Sequence, residues 1–164
     1  MAETVVHMKS ILSQEVEGFG GAVERAEAIR NDIFKHDWKK LSQNLEKMEK
    51  LSTYLAALEK ERVHIFENLR RELGAKENDG FYTVVVRLPE EEQNELSDLF
   101  RRLKSLVLQL QGVLWSVDAY TRSLSGTIYD ILQEIFPHRR GTLYSKSGHK
   151  RKNGNDPLVV NHRL

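Results

Sequence analysis

Residues 89–136 read PEEEQNELSDLFRRLKSLVLQLQGVLWSVDAYTRSLSGTIYDILQEIF, and they indicate the fold class more clearly than the rest of the chain. Its apolar side chains recur at alternating spacings of three and four residues, which is the period of an α-helix. Pro89 and the acidic residues after it are typical of a helix start, and Pro137 predicts the end. The stretch therefore predicts one helix, about 70 Å long. Its apolar stripe consists of Leu96, Leu99, Leu103, Leu106, Leu110, Val113, Val117, Tyr120, Leu124, Ile128, Ile131 and Ile135.

A second helix is predicted upstream, over residues 37–73. Asp37 is a suitable N-cap, and Gly74 directly after Leu73 fits the C-terminal cap. A leucine-rich stripe lies between them, and Arg62 falls on this stripe where an apolar residue is expected. We interpret Arg62 as an arginine at the edge of the bundle that extends its charged end into water.

The first helix is predicted over residues 3–35, with a less regular stripe. Gly18, Gly20 and Gly21 lie in its middle, which predicts a kink or a break. Residues 75–88 form the long internal connection. Residues 83–86 in it favour a strand but have no partner strand anywhere in the chain, so an extended loop is predicted.

Together these patterns predict an all-α fold, an elongated antiparallel three-helix bundle with coiled-coil packing and a long C-terminal helix. The bundle comprises residues 1–136, and residues 137–164 form a flexible, largely irregular basic tail. The tail has seven Lys or Arg against one acidic residue, a charge of +6. The whole chain has 25 basic and 24 acidic residues, which leaves 18 minus 23, or −5, for residues 1–136.

Composition excludes several kinds of function. The chain has no cysteine, which rules out disulfides and thiolate chemistry and fits a reducing compartment. No secretory signal and no apolar run of about 18 residues is visible, so a cytoplasmic protein without membrane insertion is expected. The six histidines never lie three or four residues apart, and no glycine-rich phosphate loop occurs. No catalytic residue, metal or cofactor is therefore predicted.

Nucleic acid is an alternative partner because His149 is followed by the basic run Lys150-Arg151-Lys152. Against it, the body of the chain is acidic, and no aromatic residues interleave the run to stack on bases. The prediction is therefore no nucleic acid, and a solvated tail that meets an acidic protein surface is favoured.

The chain resembles the flagellar export chaperones of the FlgN type, and three segments carry this resemblance. Residues 37–74, with the acidic cap, the Leu-Ala-Ala-Leu-Glu-Lys-Glu-Arg segment at 55–62 and the closing Leu-Gly, are similar to the second helix of that family. The long third helix follows, as it does in the family. Residues 142–148, Thr-Leu-Tyr-Ser-Lys-Ser-Gly, then resemble the family's short Thr-Leu-Tyr-x-x-x-Gly signature.

The resemblance implies a chaperone that binds the helical C-terminal segment of a hook-associated subunit and delivers it to the cytosolic domain of the flagellar type III export gate. It also implies docking on the gate through Tyr144. Client contacts would come from the C-terminal part of the long helix. Carried over to this chain, they are Leu110, Leu114, Val117, Tyr120, Leu124, Ile128, Ile131, Leu132 and Ile135.

The apolar stripe supports a binding role independently, because a third helix that outruns its two partners leaves apolar side chains without a neighbour. An amphipathic client helix is one occupant for such a stripe. A second copy of the chain in a homodimer is the alternative. A generic coiled-coil adaptor also remains open, since the stripes alone would suffice for it.

Overall fold

The computed structural model describes the backbone of residues 1–135 and the side chains of residues 1–126. Four helices occur in this part of the chain, α1 (Ala2–Phe34), α2 (Trp38–Glu72), α3 (Phe81–Val85) and α4 (Glu90–Ile135), and it contains no strand. The all-α prediction is confirmed. Within residues 1–135, no helix is long and apolar enough to cross a membrane. Residues 1–121 form one compact unit, and a second unit begins at Arg122.

Helix α1 is continuous from Ala2 to Phe34, so of the kink or break predicted at its glycines, the break is wrong. Gly18 is the position where the lack of a side chain matters, because a Cβ there would lie 2.7 Å from Leu55 Cδ2 on α2. A Cβ at Gly20 would meet nothing within 4 Å. The cost of these glycines, about 1 kcal/mol each in a helix interior, is offset by the packing of α1 on its neighbours.

The helix with the weakest sequence pattern supplies the largest part of the core. Eleven residues of α1 are buried, against four in α2. The prediction identified only one apolar row on α1, whereas a second row is buried too, because α1 packs against both α2 and α4. This second row comprises Ile11, Glu15, Ala22, Ile29 and Asp32.

Two contacts fix the register between α1 and α4. Lys9 forms an ion pair with Glu95, and the ring of Phe34 meets that of Tyr120 edge to face at a centroid distance of 4.5 Å. The sequence separation is 86 residues in both contacts (95 minus 9 and 120 minus 34), so the two helices run parallel. Helix α2 runs antiparallel to α1, because Thr4 bonds to Glu72 while Asp32 bonds to Asn44.

The connection predicted as an extended loop contains the short helix α3. Val84 and Val85 are completely buried in it, and the Phe81 ring stacks on Phe100 of α4 at 4.0 Å and lies 5.7 Å from Phe66 of α2. The β-branched residues therefore enter the core through a helical turn, because burial outweighs their weak preference for strands. The bundle has three long helices, as predicted, and this fourth short one.

Arg62 does not extend into water, so its interpretation as an edge arginine is wrong. Its Nε donates a hydrogen bond to Oε1 of Glu15 at 3.0 Å and lies 2.8 Å from Oε2. The Glu15 side chain is only 1% exposed, and burial raises the pKa of this carboxyl above its ordinary value even though Arg62 lowers it. Arg62 thus occupies an apolar position of the α2 stripe because it pairs with Glu15, which is buried on α1.

Candidate functional site

Helix α4 turns its apolar stripe toward α1. Leu96, Leu103 and Val113 are buried in the core. Leu99, Leu106 and Leu110 are partly buried against it. Most of the stripe up to residue 113 is therefore covered by the chain itself and serves to hold the bundle together.

The client-binding residues predicted from the resemblance fall into three groups. Leu110, Val117 and Tyr120 are half-buried, and the last two lie against Phe34 and its neighbours at the end of α1. Leu114 and Leu124 are exposed, at 43% and 38%. Only this second group offers apolar surface that is open in the structure.

The third group belongs to the end of the chain. Four of these residues lie in the part of α4 whose backbone is described, but their side chains are outside the described residues, and so is Tyr144 altogether. The four are Ile128, Ile131, Leu132 and Ile135. Their role stays a prediction from the resemblance.

The start of α2 contributes apolar surface that the sequence did not indicate. Leu45 is 50% exposed, although it belongs to the α2 stripe. The adjacent Asn44 donates a hydrogen bond of 2.6 Å to Asp32 near the end of α1. Since Tyr120 contacts the same end of α1, Leu45 and Leu114 lie at one end of the bundle. Leu45 belongs to the α2 stripe, but the sequence does not show that no other helix covers this residue. Its exposure could therefore not be predicted.

Leu108 and Trp115 on α4 were also missed, because they lie outside the stripe. They are 67% and 70% exposed, more than the other large apolar side chains of residues 1–126. They lie seven residues apart and therefore on one side of the helix. The sequence did contain one indication of these two residues, because the helical pattern expects polar side chains at both positions.

The described side chains were compared with the pattern of a metal site, and the buried charged groups were traced to their partners. Among residues 1–126, no three His, Asp or Glu side chains are grouped so as to hold a metal ion. The buried charges have structural partners. Glu15 pairs with Arg62, and Asp32 accepts from Asn44, whose side-chain oxygen accepts from Arg25 at 2.8 Å. What the arrangement offers is exposed apolar surface on long helices.

Comparison with known proteins gives one finding. The model of a protein family described as FlgN protein matches residues 7–152 of the chain. The match includes α2, α3 and α4 completely and α1 from His7 onward. No curated protein and no solved structure shows significant similarity to the chain.

Proposed function

Because the chain belongs to the FlgN family of flagellar export chaperones, we propose that it binds the C-terminal helical segment of a hook-associated subunit and delivers it to the export gate. Members of this family bind flagellar proteins and are not enzymes. The gate contact in this proposal is the cytosolic domain of the flagellar type III export gate. The client is kept from assembling until it reaches the gate.

The observation that carries the proposal is the exposure of Leu114, at 43%, on a helix whose residues Leu96, Leu103 and Val113 are buried. The Leu114 side chain can contact a client without any rearrangement of the compact unit of residues 1–121. Leu110, Val117 and Tyr120 would contribute beside it, each with its exposed part. Leu124, which is 38% exposed, belongs to the second unit and is proposed as a client contact in its own right. Covering about 600 Å² of apolar surface would contribute about 15 kcal/mol before the cost of ordering the client is subtracted. The net affinity then falls in the micromolar to nanomolar range.

The client site is tested with aspartate variants of the two exposed leucines. We expect Leu114→Asp and Leu124→Asp each to weaken binding of the C-terminal segment of a hook-associated subunit by about tenfold or more, because each places a charge in an apolar contact. The matched control is Val63→Asp, since Val63 is an apolar residue of α2 that is 45% exposed. Isothermal titration calorimetry measures the affinity, and circular dichroism shows that the variants are folded. Unchanged affinity in both leucine variants would overturn the assignment.

The gate contact is tested separately through the tail. Tyr144→Ala should leave client binding intact and reduce binding of the chaperone–client complex to the cytosolic domain of the gate. Equal gate binding by the variant and the wild type would remove Tyr144 from the proposal.

Filter binding with RNA and DNA at about 150 mM salt examines the nucleic-acid alternative, because contacts made only by a short basic run fade under that condition.

A further inference from the structure

A cleft of about 780 Å³ opens between α1 and α4. It extends from Ser13 to Glu24 on α1 and from Leu99 to Leu106 on α4, and no residue of α2 or α3 lines it. From residue 13 to residue 24 there are 24 minus 13, or 11, helical steps, which correspond to about 16 Å. The client-binding residues proposed above begin at Leu110, so the cleft is a separate surface.

Helices α1 and α4 lie farther apart than a directly packed pair. No Cα atom of α1 comes within 8 Å of a Cα atom of residues 90–121 in α4, whereas α1 and α2 approach this closely at many positions. Helices in direct contact have axes only about 8–10 Å apart. The two helices are nevertheless linked on both sides of the cleft, by Lys9 with Glu95 before it and by Phe34 with Tyr120 after it. The cleft is therefore part of the folded compact unit.

The bottom of the cleft is apolar. Val16 is buried, and Leu99 and Leu106 are partly buried against the core. Gly20 also lines the cleft, and a Cβ added there would meet nothing within 4 Å. Glycine weakens the interior of a helix, and no packing within the described chain requires it at this position. Gly20 therefore leaves room that a partner can fill.

The sides of the cleft carry three charged groups that are free for a partner. Glu17, Glu24 and Arg102 are exposed, and within residues 1–126 none of them forms a hydrogen bond or an ion pair through its side chain. Arg102 lies almost level with Glu17, because residues of α1 and α4 that are 86 positions apart share a level, and 102 minus 86 is 16. Two carboxylates against one guanidinium give the cleft a net negative charge. This charge attracts a basic partner and repels the phosphates of nucleic acid or of anionic lipid.

The spacing of the cleft residues fits a helix better than an extended chain. Glu17 and Glu24 are seven residues apart, about 10.5 Å along the axis, and Leu99 and Leu106 have the same separation. A helix lying along the cleft has this repeat itself, so its residues i and i+7 can meet both carboxylates while the side chains between them reach the apolar bottom. Residues on one side of an extended chain are about 6.6 or 13 Å apart, and they match neither pair.

We propose that this cleft binds a basic amphipathic helix of a partner protein. The helix lies along α1 and α4, and its Lys or Arg residues at positions i and i+7 pair with Glu17 and Glu24. Its apolar residues between them cover the bottom of the cleft, and an acidic or amide side chain on its other flank meets Arg102. The inference goes beyond the client and gate contacts proposed above, because it uses none of their residues.

The first test measures the binding of two synthetic peptides, each about 18 residues or about five helical turns long, to the full-length chain. Both peptides have leucines spaced three and four residues apart on one face. The basic peptide has lysines on both flanks of that face, and the acidic peptide has glutamates at the same positions. Fluorescence anisotropy should show that the basic peptide binds at least about tenfold more tightly at about 50 mM salt, and that the difference shrinks as salt is added. Equal affinity of the two peptides, or no binding of the basic one, overturns the proposal.

Charge reversal in the cleft assigns the contact to its two carboxylates. Glu17→Lys/Glu24→Lys should reverse the preference, so that the acidic peptide binds more tightly than the basic one. The matched control is Glu49→Lys/Glu67→Lys, which changes the net charge equally at two exposed glutamates of α2 whose side chains also form no hydrogen bond or ion pair within residues 1–126. This control should keep the preference for the basic peptide. If it loses the preference to the same extent as the cleft variant, the peptide responds only to the charge of the whole chain, and the assignment of the cleft is overturned.

Gly20→Leu fills the cleft without removing a charge. The new side chain enters space that is open within the described chain, and leucine favours a helix more than glycine does, so the melting temperature should not fall. The basic peptide should bind at least about tenfold more weakly, because the room for its apolar residues is taken. The matched control is Gly112→Leu, at a glycine of α4 that also faces open space but does not line the cleft, and it should bind the peptide as the wild type does. Unchanged affinity in Gly20→Leu overturns the inference.

Leu114→Asp separates this inference from the proposed client site. The substitution is expected to weaken the client, but Leu114 does not line the cleft, so the basic peptide should bind this variant as tightly as the wild type. A loss of peptide binding in Leu114→Asp would place the peptide at the client site and overturn the inference.

Discussion

The buried pair of Glu15 and Arg62 permits a quantitative prediction about stability. Replacing Arg62 by methionine keeps most of the volume of the side chain but leaves the Glu15 carboxylate, which is 1% exposed, without its counter-ion. Glu59, at 3.8 Å from Arg62, cannot replace it, because it is itself acidic. The variant must then either bury an unpaired charge or protonate Glu15.

Protonation limits how large the destabilisation can be. Neutralising a carboxyl whose ordinary pKa is 4.5 costs about 1.4 kcal/mol for each pH unit above that value. At pH 7 this amounts to at most about 3.4 kcal/mol, and at pH 5 to about 0.7 kcal/mol. We therefore expect Arg62→Met to lower the free energy of unfolding by about 2–3 kcal/mol at pH 7 and by much less at pH 5.

The direction of this pH dependence follows from the raised pKa of Glu15. Burial makes the folded chain bind a proton at this site more tightly than the unfolded chain does. The stability that depends on this site is therefore fully present below the ordinary pKa of 4.5, and it is lost as the pH rises from there through the raised folded value. Removing Arg62 raises the folded pKa further, so the loss extends to higher pH in the variant.

Urea unfolding followed by circular dichroism at the two pH values measures the effect. Lys50→Met is the matched control, because Lys50 pairs with Glu46 at 2.8 Å on the exposed side of α2, and it should change the stability little. The double variant Glu15→Leu/Arg62→Met should recover most of the loss, since an apolar pair replaces the buried ions. A loss in Arg62→Met that is as small as in the control, or that is independent of pH, would contradict the role of Arg62 as the counter-ion of buried Glu15.

Two further predictions concern packing. Gly20→Ala should raise the free energy of unfolding by about 1 kcal/mol, since its Cβ meets open space. Gly18→Ala should be less stable than Gly20→Ala by at least about 1 kcal/mol, because its Cβ collides with Leu55; equal stabilities in urea unfolding would contradict this. Phe81→Ala should cost about 2 kcal/mol through the loss of its stacked ring, and should speed amide exchange in α3. Tyr82→Ala, at a side chain 46% exposed, should do less, and similar effects of the two variants would show that α3 is not anchored by Phe81.

The sequence predicted the long helices well because their stripes and end signals agree. Asp37 begins α2 as expected, and its carboxylate accepts a hydrogen bond of 3.1 Å from the amide of Lys40. This bond lowers the pKa of the Asp37 carboxyl. Gly74 has a positive φ of 60° directly after α2, as the predicted cap requires. These features depend on neighbouring residues only.

The failures all concern features that depend on a second helix. Arg62 was misread because its partner, Glu15, lies on α1, and no local pattern connects residues 47 positions apart. The glycines of α1 appeared to be breaks because the pattern does not show that Gly18 faces Leu55. Helix α3 was missed because only its burial between α2 and α4 overcomes the preference of its valines for strands.

The sequence could not show which of the predicted client residues are open, for the same reason. The stripe on α4 identifies apolar residues, but periodicity cannot distinguish Val113, which is buried, from Leu114, which is open. That distinction depends on how far α1 reaches along α4. Periodicity also gave no reason to select Leu108 and Trp115, because their exposure is known only once the covered face of α4 is known.

The constant separation of 86 residues between α1 and its contacts on α4 has a consequence for synthesis of the chain. Helices α1 and α2 form a hairpin whose contacts become available as soon as α2 leaves the ribosome. The side of α1 that packs on α4 stays uncovered until residue 120 has also left the ribosome. A nascent hairpin in this state exposes the surface that misassembles most readily, and a translational pause within α4 would prolong that exposure.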